Sequence, residues 1–250
     1  MKITKHISFF YIEERICYVN EIIRETNKYE FYTDLYVHTN STSLKKESFD
    51  EYSNGLIHII NHDLSNIHPF YLTWKCRDLL KTQKNDYDIF IYTEDDMLIT
   101  FNAILYWLKY NKQLIAHGYN LGFLRIEIEN NEEYITDLPG KKFNSNLILD
   151  NSKYCINNIN PYCAMWIYNK NEFSKFTNSK YYDINNIPGY EVRESSAIGL
   201  HGSKNYWYKG TLIPLIHNKL HEDCKIYHLP NNYVANKANN WATVKFNDAN

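Results

Sequence analysis

The sequence predicts an α/β protein built on a mostly parallel β-sheet. In the first hundred residues, short apolar runs typical of strands alternate with amphipathic segments of helical period. Strands separated by helices at this spacing pair in parallel, through right-handed crossovers. Hydrophobic residues make up 44% of the 250 residues, which is enough to bury a substantial core. We therefore expect a single domain over residues 1–250.

Four strands and three helices are expected in the first half of the chain. Residues 7–12 form a continuous apolar run, as in a strand that is buried on both faces. Residues 14–27 place apolar side chains on one helical face, and Pro69 stands at a favoured first position for a helix over 70–84. Similar patterns predict the other strands at 32–38, 56–60 and 87–92, and the third helix at 101–110.

The second half is expected to contain a smaller antiparallel portion. Residues 121–128 and 133–138 are predicted as paired strands around the turn residues Asn130-Asn131. The weakly periodic residues 139–160 are predicted as a loop, and residues 231–250 show no periodic pattern. The remaining patterns predict a strand at 162–168, a strand-like stretch at 224–227, and helices at 171–176 and 193–200.

Composition and charge exclude several classes of protein. Lys and Arg number 27 against 29 Asp and Glu, which argues against binding to a nucleic-acid backbone, since that calls for a basic excess. The five cysteines form no CxxC pair, as expected for reduced thiols in the cytoplasm. The apolar run near the start is too short for a signal peptide, and no stretch approaches the length of a transmembrane segment. Peripheral contact with a membrane stays open.

The most informative segment is the predicted strand that runs directly into three carboxylates, Glu94, Asp95 and Asp96. Adjacent carboxylates at the edge of a sheet repel one another, and a divalent cation would relieve that repulsion. Oxygen ligands of this kind suit Mg²⁺ or Mn²⁺, which commonly bridge carboxylates to the phosphates of a substrate. The alternative is a solvated acidic turn, because Asp and Glu also favour turns and helix N-termini.

Other phosphate-binding and nucleophile motifs are absent from the sequence. It contains no GxxxxGK[ST] and no GxGxxG, so phosphates are not expected to be held by a glycine-rich loop. It contains no GxSxG nucleophile elbow either. The acidic triplet therefore carries the prediction of chemistry.

With this triplet in place, the sequence resembles the GT-A fold glycosyltransferases. The resemblance implies a GT-A-like single domain, with a mostly parallel, Rossmann-like sheet, helices on both faces and an antiparallel acceptor side. It further implies a nucleotide-sugar half over residues 1–115, an acceptor and catalytic half over 116–230 and a tail over 231–250. The segments that carry it, besides the triplet, are 7–27, HPFYLTWKCR at 68–77, GFLRIEI at 122–128, NPYCAMWIYNKNEF at 160–173, EVRESSAIGL at 191–200 and HLPNNY at 228–233.

The resemblance implies a metal-dependent transfer of sugar from a UDP-, GDP- or dTDP-linked donor to a hydroxyl of a glycan or glycoconjugate. Mn²⁺ or Mg²⁺ would be held by Asp96 with Glu94, and His228 would complete the metal shell, with His217 and His221 as rivals. Glu94 or Asp95 would also reach the nucleotide ribose or a metal-bound water. The cation would stabilise the diphosphate leaving group.

A general base is implied on the acceptor side of the sugar. For an inverting enzyme the resemblance favours Glu194, with Glu191 as second choice. A carboxylate of this kind takes the proton from the acceptor hydroxyl. Retention of configuration stays open, because a retaining enzyme needs no base at that place.

Nucleotide contacts are expected from two arginines and from the ends of the first two strands. Arg77 and Arg125 offer planar guanidinium groups suited to phosphate. For Arg77 the alternative is an exposed helix charge, and for Arg125 an ion pair with Glu127. The strand-end candidates are Tyr11, for which core packing is the alternative, Glu13, His38 and Asn40.

Two other functions remain open at the level of sequence. One is a nucleotidyltransferase with a similar sheet, against which stands the absence of glycine from residues 11–15, where such enzymes grip a triphosphate. The other is a non-catalytic sugar- or nucleotide-binding protein of the same fold. The donor, the acceptor and the oligomeric state are not encoded in these patterns.

Overall fold

In a computed structural model, residues 1–186, 191–197, 208–236 and 240–250 are described. The chain forms two compact units, each made of two separate segments. The first unit comprises Met1–Met97 and Ala164–Gly199, and the second comprises Leu98–Cys163 and Leu200–Asn250. The chain therefore changes unit three times, after residues 97, 163 and 199. The division after residue 115 stays a prediction.

The regular elements are numbered in chain order. The strands are β1 Lys2–Phe9, β2 Tyr32–Thr39, β3 Ile57–Asn61, β4 Ile89–Glu94, β5 Met97–Leu98, β6 Asn120–Leu121, β7 Leu124–Glu129, β8 Glu132–Ile135, β9 Asn146–Leu149, β10 Ser152–Ile156, β11 Met165–Asn169, β12 Thr211–Ile216, β13 Lys219–Leu220, β14 Lys225–His228 and β15 Val244–Lys245. The α-helices are α1 Ile16–Thr26, α2 Cys76–Thr82, α3 Phe101–Ala116, α4 Lys170–Thr177, α5 Val192–Ser196 and α6 Asn232–Ala235.

The first unit is built on a five-stranded sheet in the order β11-β4-β1-β2-β3. Strands β1 to β4 are parallel to their neighbours, and β11 is antiparallel to β4. The predicted mostly parallel α/β sheet is therefore confirmed. The carboxyl ends of β1 and β4 meet at one edge, where Ser8 is in register with Glu94.

The first strand begins and ends earlier than the apolar pattern predicts. β1 spans Lys2–Phe9 rather than residues 7–12, because its polar side chains are buried with partners inside the fold. The amine of Lys5, for example, donates to Thr26 Oγ1 at 3.0 Å and to the hydroxyl of Tyr29 at 3.3 Å. After β1 the chain turns into the 3-10 helix Glu13–Arg15, which leads into α1.

The helix predicted over residues 70–84 is divided into two parts. Its first part is the 3-10 helix Pro69–Trp74, and its second part is α2. The 3-10 helix starts at His68, whose imidazole accepts a hydrogen bond from the main-chain nitrogen of Phe70. The tighter turn of this segment directs Phe70, Leu72 and Thr73 toward the cavity described below.

In the second unit, the antiparallel pair predicted around Asn130-Asn131 is confirmed as β7 and β8. Strand β14 lies parallel to β7, and β15 pairs antiparallel with β8. The pairing of Val244 with Ile135 thus gives a place in a sheet to part of the segment 231–250, which has no periodic pattern of its own.

The prediction of a loop over residues 139–160 is wrong, because strands β9 and β10 form a hairpin there. Its two-residue turn is Asp150-Asn151, with φ values of 46° and 62°. Two consecutive residues with positive φ form the tight turn that suits the twist of a hairpin, and Asn and Asp tolerate that conformation. Strand β12, which contains Pro214, pairs with β10 and was not predicted either.

The predicted helix over residues 193–200 corresponds to α5 as far as Ser196. Residues 198–200 lie outside the described part of the chain. Within the described segments, no helix has both the length and the apolar character needed to cross a membrane.

Candidate active site

A cavity of about 260 Å³ lies in the first unit at the carboxyl ends of β1 and β4. One part of its wall is apolar, and the rest carries charged side chains. The apolar residues are Phe10, Ile12, Pro69, Phe70 and Leu72, and the polar and charged residues are Ser8, Arg15, Thr73, Glu94, Asp95 and Arg193. In a parallel sheet, this edge is where ligands bind.

The acidic triplet forms the charged side of this edge. Its three side chains belong to residues only 2%, 6% and 5% exposed, for Glu94, Asp95 and Asp96 respectively. The turn that presents them is fixed by the sheet, since the main-chain nitrogen of Asp95 donates to the carbonyl of Ser8 at 3.1 Å. Burial of three adjacent carboxylates is costly unless their charges are compensated.

The guanidinium group of Arg15 compensates two of these charges. Its Nε and Nη2 donate to the two carboxylate oxygens of Asp95 at 2.7 and 2.8 Å, and Nη2 also donates to Asp96 Oδ2 at 2.8 Å. Arg15 is the last residue of the 3-10 helix that follows β1, so the turn after the first strand brings it to the triplet. Paired hydrogen bonds of this geometry are among the stronger polar contacts in proteins.

A second arginine compensates the remaining carboxylate. Arg193 Nη2 is paired with Glu94 Oε2, and the guanidinium lies 5.3 Å from the centre of the Phe70 ring. Neither Arg193 nor Arg15 is among the site residues predicted from the sequence. The available signal was an arginine placed soon after the first predicted strand.

Burial makes negative charge costly at this site despite these arginines. The pKa of Asp95 is raised to about 7 by burial and by the neighbouring charge of Asp96, which together outweigh the effect of Arg15. For Arg15, burial acts to lower the pKa, but the contacts with Asp95 and Asp96 raise it above its ordinary value. Both shifts follow from carboxylates held close together in a partly buried place.

The donor chemistry of the triplet fits a hard divalent cation, since carboxylate oxygens are the ligands that Mg²⁺ and Mn²⁺ prefer. The guanidinium of Arg15 acts as a stand-in for such an ion, because it draws oxygens of Asp95 and Asp96 onto one cation. In the described segments, no three His, Cys, Asp or Glu side chains are arranged around one point as metal ligands. The triplet thus offers oxygens suited to a divalent cation, and these oxygens are paired with the guanidinium groups of Arg15 and Arg193.

The predicted nucleotide contacts after β1, Tyr11 and Glu13, are not among the residues that line the cavity. Their neighbours Phe10 and Ile12 line it, whereas Tyr11 packs its ring edge-on against Phe9. The main-chain nitrogen of Tyr11 donates to Asn40 Oδ1 at 2.8 Å, so Asn40 links the ends of the first two strands. Glu13 is exposed.

His38 lies within a row of three imidazoles that crosses the sheet. Its Nε2 and Nδ1 are each 2.8 Å from a ring nitrogen, one of His6 and one of His62. Burial, with smaller effects of these two neighbours, holds the pKa of His38 well below its ordinary value. Burial likewise lowers the pKa of His6 to about 3. Both ring nitrogens of His38 are therefore used by the fold.

Arg77 is buried in the first unit, so the alternative of an exposed helix charge is wrong. Its guanidinium donates to the carbonyls of Tyr181, Tyr182 and Ser196 at 3.1, 2.8 and 3.0 Å. It also stacks over the ring of Trp74, 3.8 Å from the centre. These contacts join α2 to α5, the helix that carries Arg193.

Arg125 lies in the second unit, where it forms an ion pair with Asp137 rather than with Glu127. The two Arg125–Asp137 hydrogen bonds measure 2.7 and 3.0 Å. Glu127 instead accepts hydrogen bonds from the main-chain nitrogens of Tyr233 and Val234. The alternative ion pair with Glu127 is therefore wrong.

His228 also belongs to the second unit, at the end of β14. Its Nδ1 shares a hydrogen bond with the fully buried carboxylate of Glu127, which fixes the orientation of the ring. A carboxylate partner of this kind is common behind metal-binding imidazoles. Of the rival histidines, His221 accepts a hydrogen bond from the main-chain nitrogen of Asp223, and His217 lies on an exposed turn.

The two candidate bases lie at the start of α5 in the first unit. Glu191 is exposed and precedes the helix, and Glu194 is half-buried in its first turn. Arg193 lies between them and lines the cavity. The pairing of Arg193 with Glu94 therefore brings the start of this helix to the acidic triplet.

Comparisons with known proteins yield structural similarity alone. No protein-family model matches the chain, and no curated protein matches it. Among solved structures, S. aureus TarS 1-349 is similar, with a TM-score of 0.49 and 13% sequence identity over 91% of this chain. A second S. aureus TarS structure has a TM-score of 0.48 and 9% sequence identity, also over 91% of this chain. This chain spans 60% of the first of these chains and 36% of the second.

Proposed function

We propose that the chain is a GT-A-like glycosyltransferase, which moves a sugar from a nucleotide-sugar donor to a hydroxyl of a glycan or glycoconjugate. The observation that carries this proposal is the cavity at the carboxyl ends of β1 and β4. It places an apolar wall beside two arginines and a buried acidic triplet. A nucleoside diphosphate has the same division, with a flat apolar base at one end and a charged diphosphate at the other.

In this proposal, each part of the cavity has a separate task. Phe10 and Phe70 stack on the base, which tolerates different bases because every base has a flat face, and Ile12 contacts the base or ribose. Arg193 lies on the charged side, where a guanidinium suits phosphate oxygens. The donor is thereby held with its diphosphate against the ends of the two central strands.

The cofactor of the proposal is Mn²⁺ or Mg²⁺, held by carboxylates of the triplet with Asp96 as principal ligand. A divalent cation would supply electrostatic stabilisation of the departing diphosphate. The part assigned to His228 stays a prediction, and replacement of this residue by Ala tests it through the affinity for Mn²⁺. The cytoplasmic location also stays a prediction.

Glu194 is proposed as the general base of an inverting reaction. Its half-buried carboxylate follows Arg193, which is paired with Glu94 at the edge of the cavity. A base on the acceptor side removes the hydroxyl proton as the acceptor oxygen attacks the sugar, and such a base accelerates the reaction by roughly 10²–10⁴-fold. The more exposed Glu191 is the second candidate.

The function is tested first by binding and then by turnover. Thermal shifts with UDP, GDP and dTDP, with and without Mn²⁺, identify the base, and the matching nucleotide-sugars are then assayed for transfer. We expect one nucleotide to stabilise the protein only with Mn²⁺, and EDTA to abolish that effect. The change Glu194→Gln should then lower kcat by about 10²–10⁴-fold with little change in the KM of the donor.

Each outcome bears on a different part of the proposal. Normal kcat in Glu194→Gln together with inactivity of Glu191→Gln would transfer the role of base to Glu191. Retained anomeric configuration of the product would contradict inversion. Binding of a nucleotide without turnover of any donor would favour the non-catalytic alternative, and binding of no nucleotide at all would refute the proposal.

A further inference from the structure

The strongest unassigned feature of the cavity is the way in which Arg15 holds the acidic triplet. One guanidinium engages both oxygens of Asp95 and one oxygen of Asp96, with all three contacts at 2.7 or 2.8 Å. A guanidinium and a divalent cation cannot both occupy the same carboxylate oxygens at bonding distance. Arg15 and a metal ion are therefore competitors for this position.

Arg15 is placed so that it can leave the carboxylates without disrupting the core. Its side chain is 30% exposed, whereas those of Asp95 and Asp96 are 8% and 7% exposed. It extends from a 3-10 helix of three residues that contains no buried residue. It also lines the cavity, so a small rotation of the side chain keeps the guanidinium beside any bound ligand.

The two states of Arg15 suit two different partners. Without a divalent cation, its positive charge stabilises two buried carboxylates. Once a cation has taken the carboxylates, the freed guanidinium needs a new anion, and a diphosphate in the same cavity supplies one. One movement of the Arg15 guanidinium thus serves both charges. It leaves the carboxylates to the incoming cation, and it pairs with the incoming diphosphate.

We propose that Arg15 is a built-in cation that is exchanged on binding: a divalent cation displaces it from Asp95 and Asp96, and the displaced guanidinium binds the donor diphosphate. The inference rests on the proposed function, because it takes the metal and the diphosphate from there. It adds that Arg15 makes the affinity of the protein for the cation depend on the presence of diphosphate. Metal alone binds weakly, since it must displace Arg15, and metal with diphosphate binds strongly.

The test measures two affinities in the same three proteins. The proteins are the wild type, Arg15→Gln and the control Arg24→Gln, which removes an exposed arginine of α1 that pairs with Glu21 and Asp50. Binding of Mn²⁺ alone is followed by electron paramagnetic resonance, and binding of pyrophosphate to the protein saturated with Mn²⁺ is followed by calorimetry. Thermal midpoints establish that each variant is folded.

We expect Arg15→Gln to change the two affinities in opposite directions. Mn²⁺ alone should bind about tenfold more tightly, because its competitor is gone, and pyrophosphate should bind the Mn²⁺-saturated protein about tenfold more weakly, because a charged donor is lost. The control should match the wild type in both measurements. A purely structural arginine would not produce opposite changes.

The results that overturn the inference differ from those that overturn the proposed function. Equal or weaker binding of Mn²⁺ to Arg15→Gln would refute the exchange, and unchanged binding of pyrophosphate to the Mn²⁺-saturated variant would refute the contact with diphosphate. Absence of Mn²⁺ binding in every folded protein would instead refute the cation of the proposed function. If Arg15→Gln does not fold, Arg15→Lys replaces it: lysine lacks the fork, so an affinity for Mn²⁺ equal to that of the wild type would refute the exchange.

Discussion

The row of buried imidazoles makes the stability of the protein depend on pH, and His6 offers the sharpest test. Its side chain is fully buried, with ring nitrogens 2.8 Å from His38 and 3.0 Å from Gln83 Oε1. The perturbation is His6→Gln, which removes the titrating group and keeps a polar side chain between these partners. The quantity of interest is the loss of stability on acidification, compared between the wild type and the variant.

The direction and the magnitude of this loss of stability follow from the pKa of His6 in the folded and in the unfolded protein. Folding lowers it from 6.5 to about 3, chiefly by burial, so the folded protein keeps this ring neutral where the unfolded chain is protonated. The contribution of the neutral His6 ring to the free energy of unfolding is fully present above pH 6.5 and is lost as the pH falls toward 3. Between pH 7 and pH 5 the loss amounts to about 2 kcal/mol, at 1.36 kcal/mol for each pH unit below 6.5.

Urea unfolding at pH 7 and pH 5 measures this quantity. The wild type should lose about 2 kcal/mol more between the two pH values than His6→Gln. Comparing two proteins cancels the contribution of Asp95, whose raised pKa acts in the opposite direction. His217→Asn, on an exposed turn, is the matched control and should follow the wild type. Equal losses in the wild type and His6→Gln would refute the reasoning.

Two further changes test parts of the fold that the sequence patterns do not predict. Arg77→Met should lower the free energy of unfolding by about 3 kcal/mol, because three carbonyls lose a charged donor. The control Arg24→Met should lower it far less. Equal effects of the two changes in urea unfolding would show that the buried contacts of Arg77 add nothing. Asn151→Gly should raise the free energy of unfolding by up to about 1 kcal/mol, since glycine adopts φ near 62° without strain, and Asn151→Val should lower it. A loss of stability with Gly as large as with Val would contradict a tight turn at this position.

Elements whose signals are local could be predicted from the order of residues along the chain. The alternation of apolar strands with amphipathic helices predicted the parallel sheet of the first unit, because periodicity records which face of an element is buried. The pair of asparagines 130 and 131 likewise predicted the hairpin of β7 and β8. The run of carboxylates after the fourth strand located the charged edge of the cavity, since parallel strands deliver their carboxyl ends to one side of a sheet.

Local patterns failed where polar residues are buried or turns are short. The early start of β1 was hidden by Lys5 and His6, which count as polar in any pattern yet are fully buried among partners. The hairpin of β9 and β10 depends on Asp150-Asn151, a turn of only two residues within a weakly periodic segment. Periodicity cannot register a polar side chain that is satisfied by another part of the chain.

Which charged side chains pair with one another depends on the folded arrangement of the chain. Arg15 reaches Asp95 from 80 positions away in the chain, and Arg193 reaches Glu94 from 99 positions away. Arg125 pairs with Asp137, in the turn after β8, although Glu127 lies two residues away. The physical reason is that an ion pair depends on distance and burial in the folded chain, and neither is encoded in the spacing of residues along it.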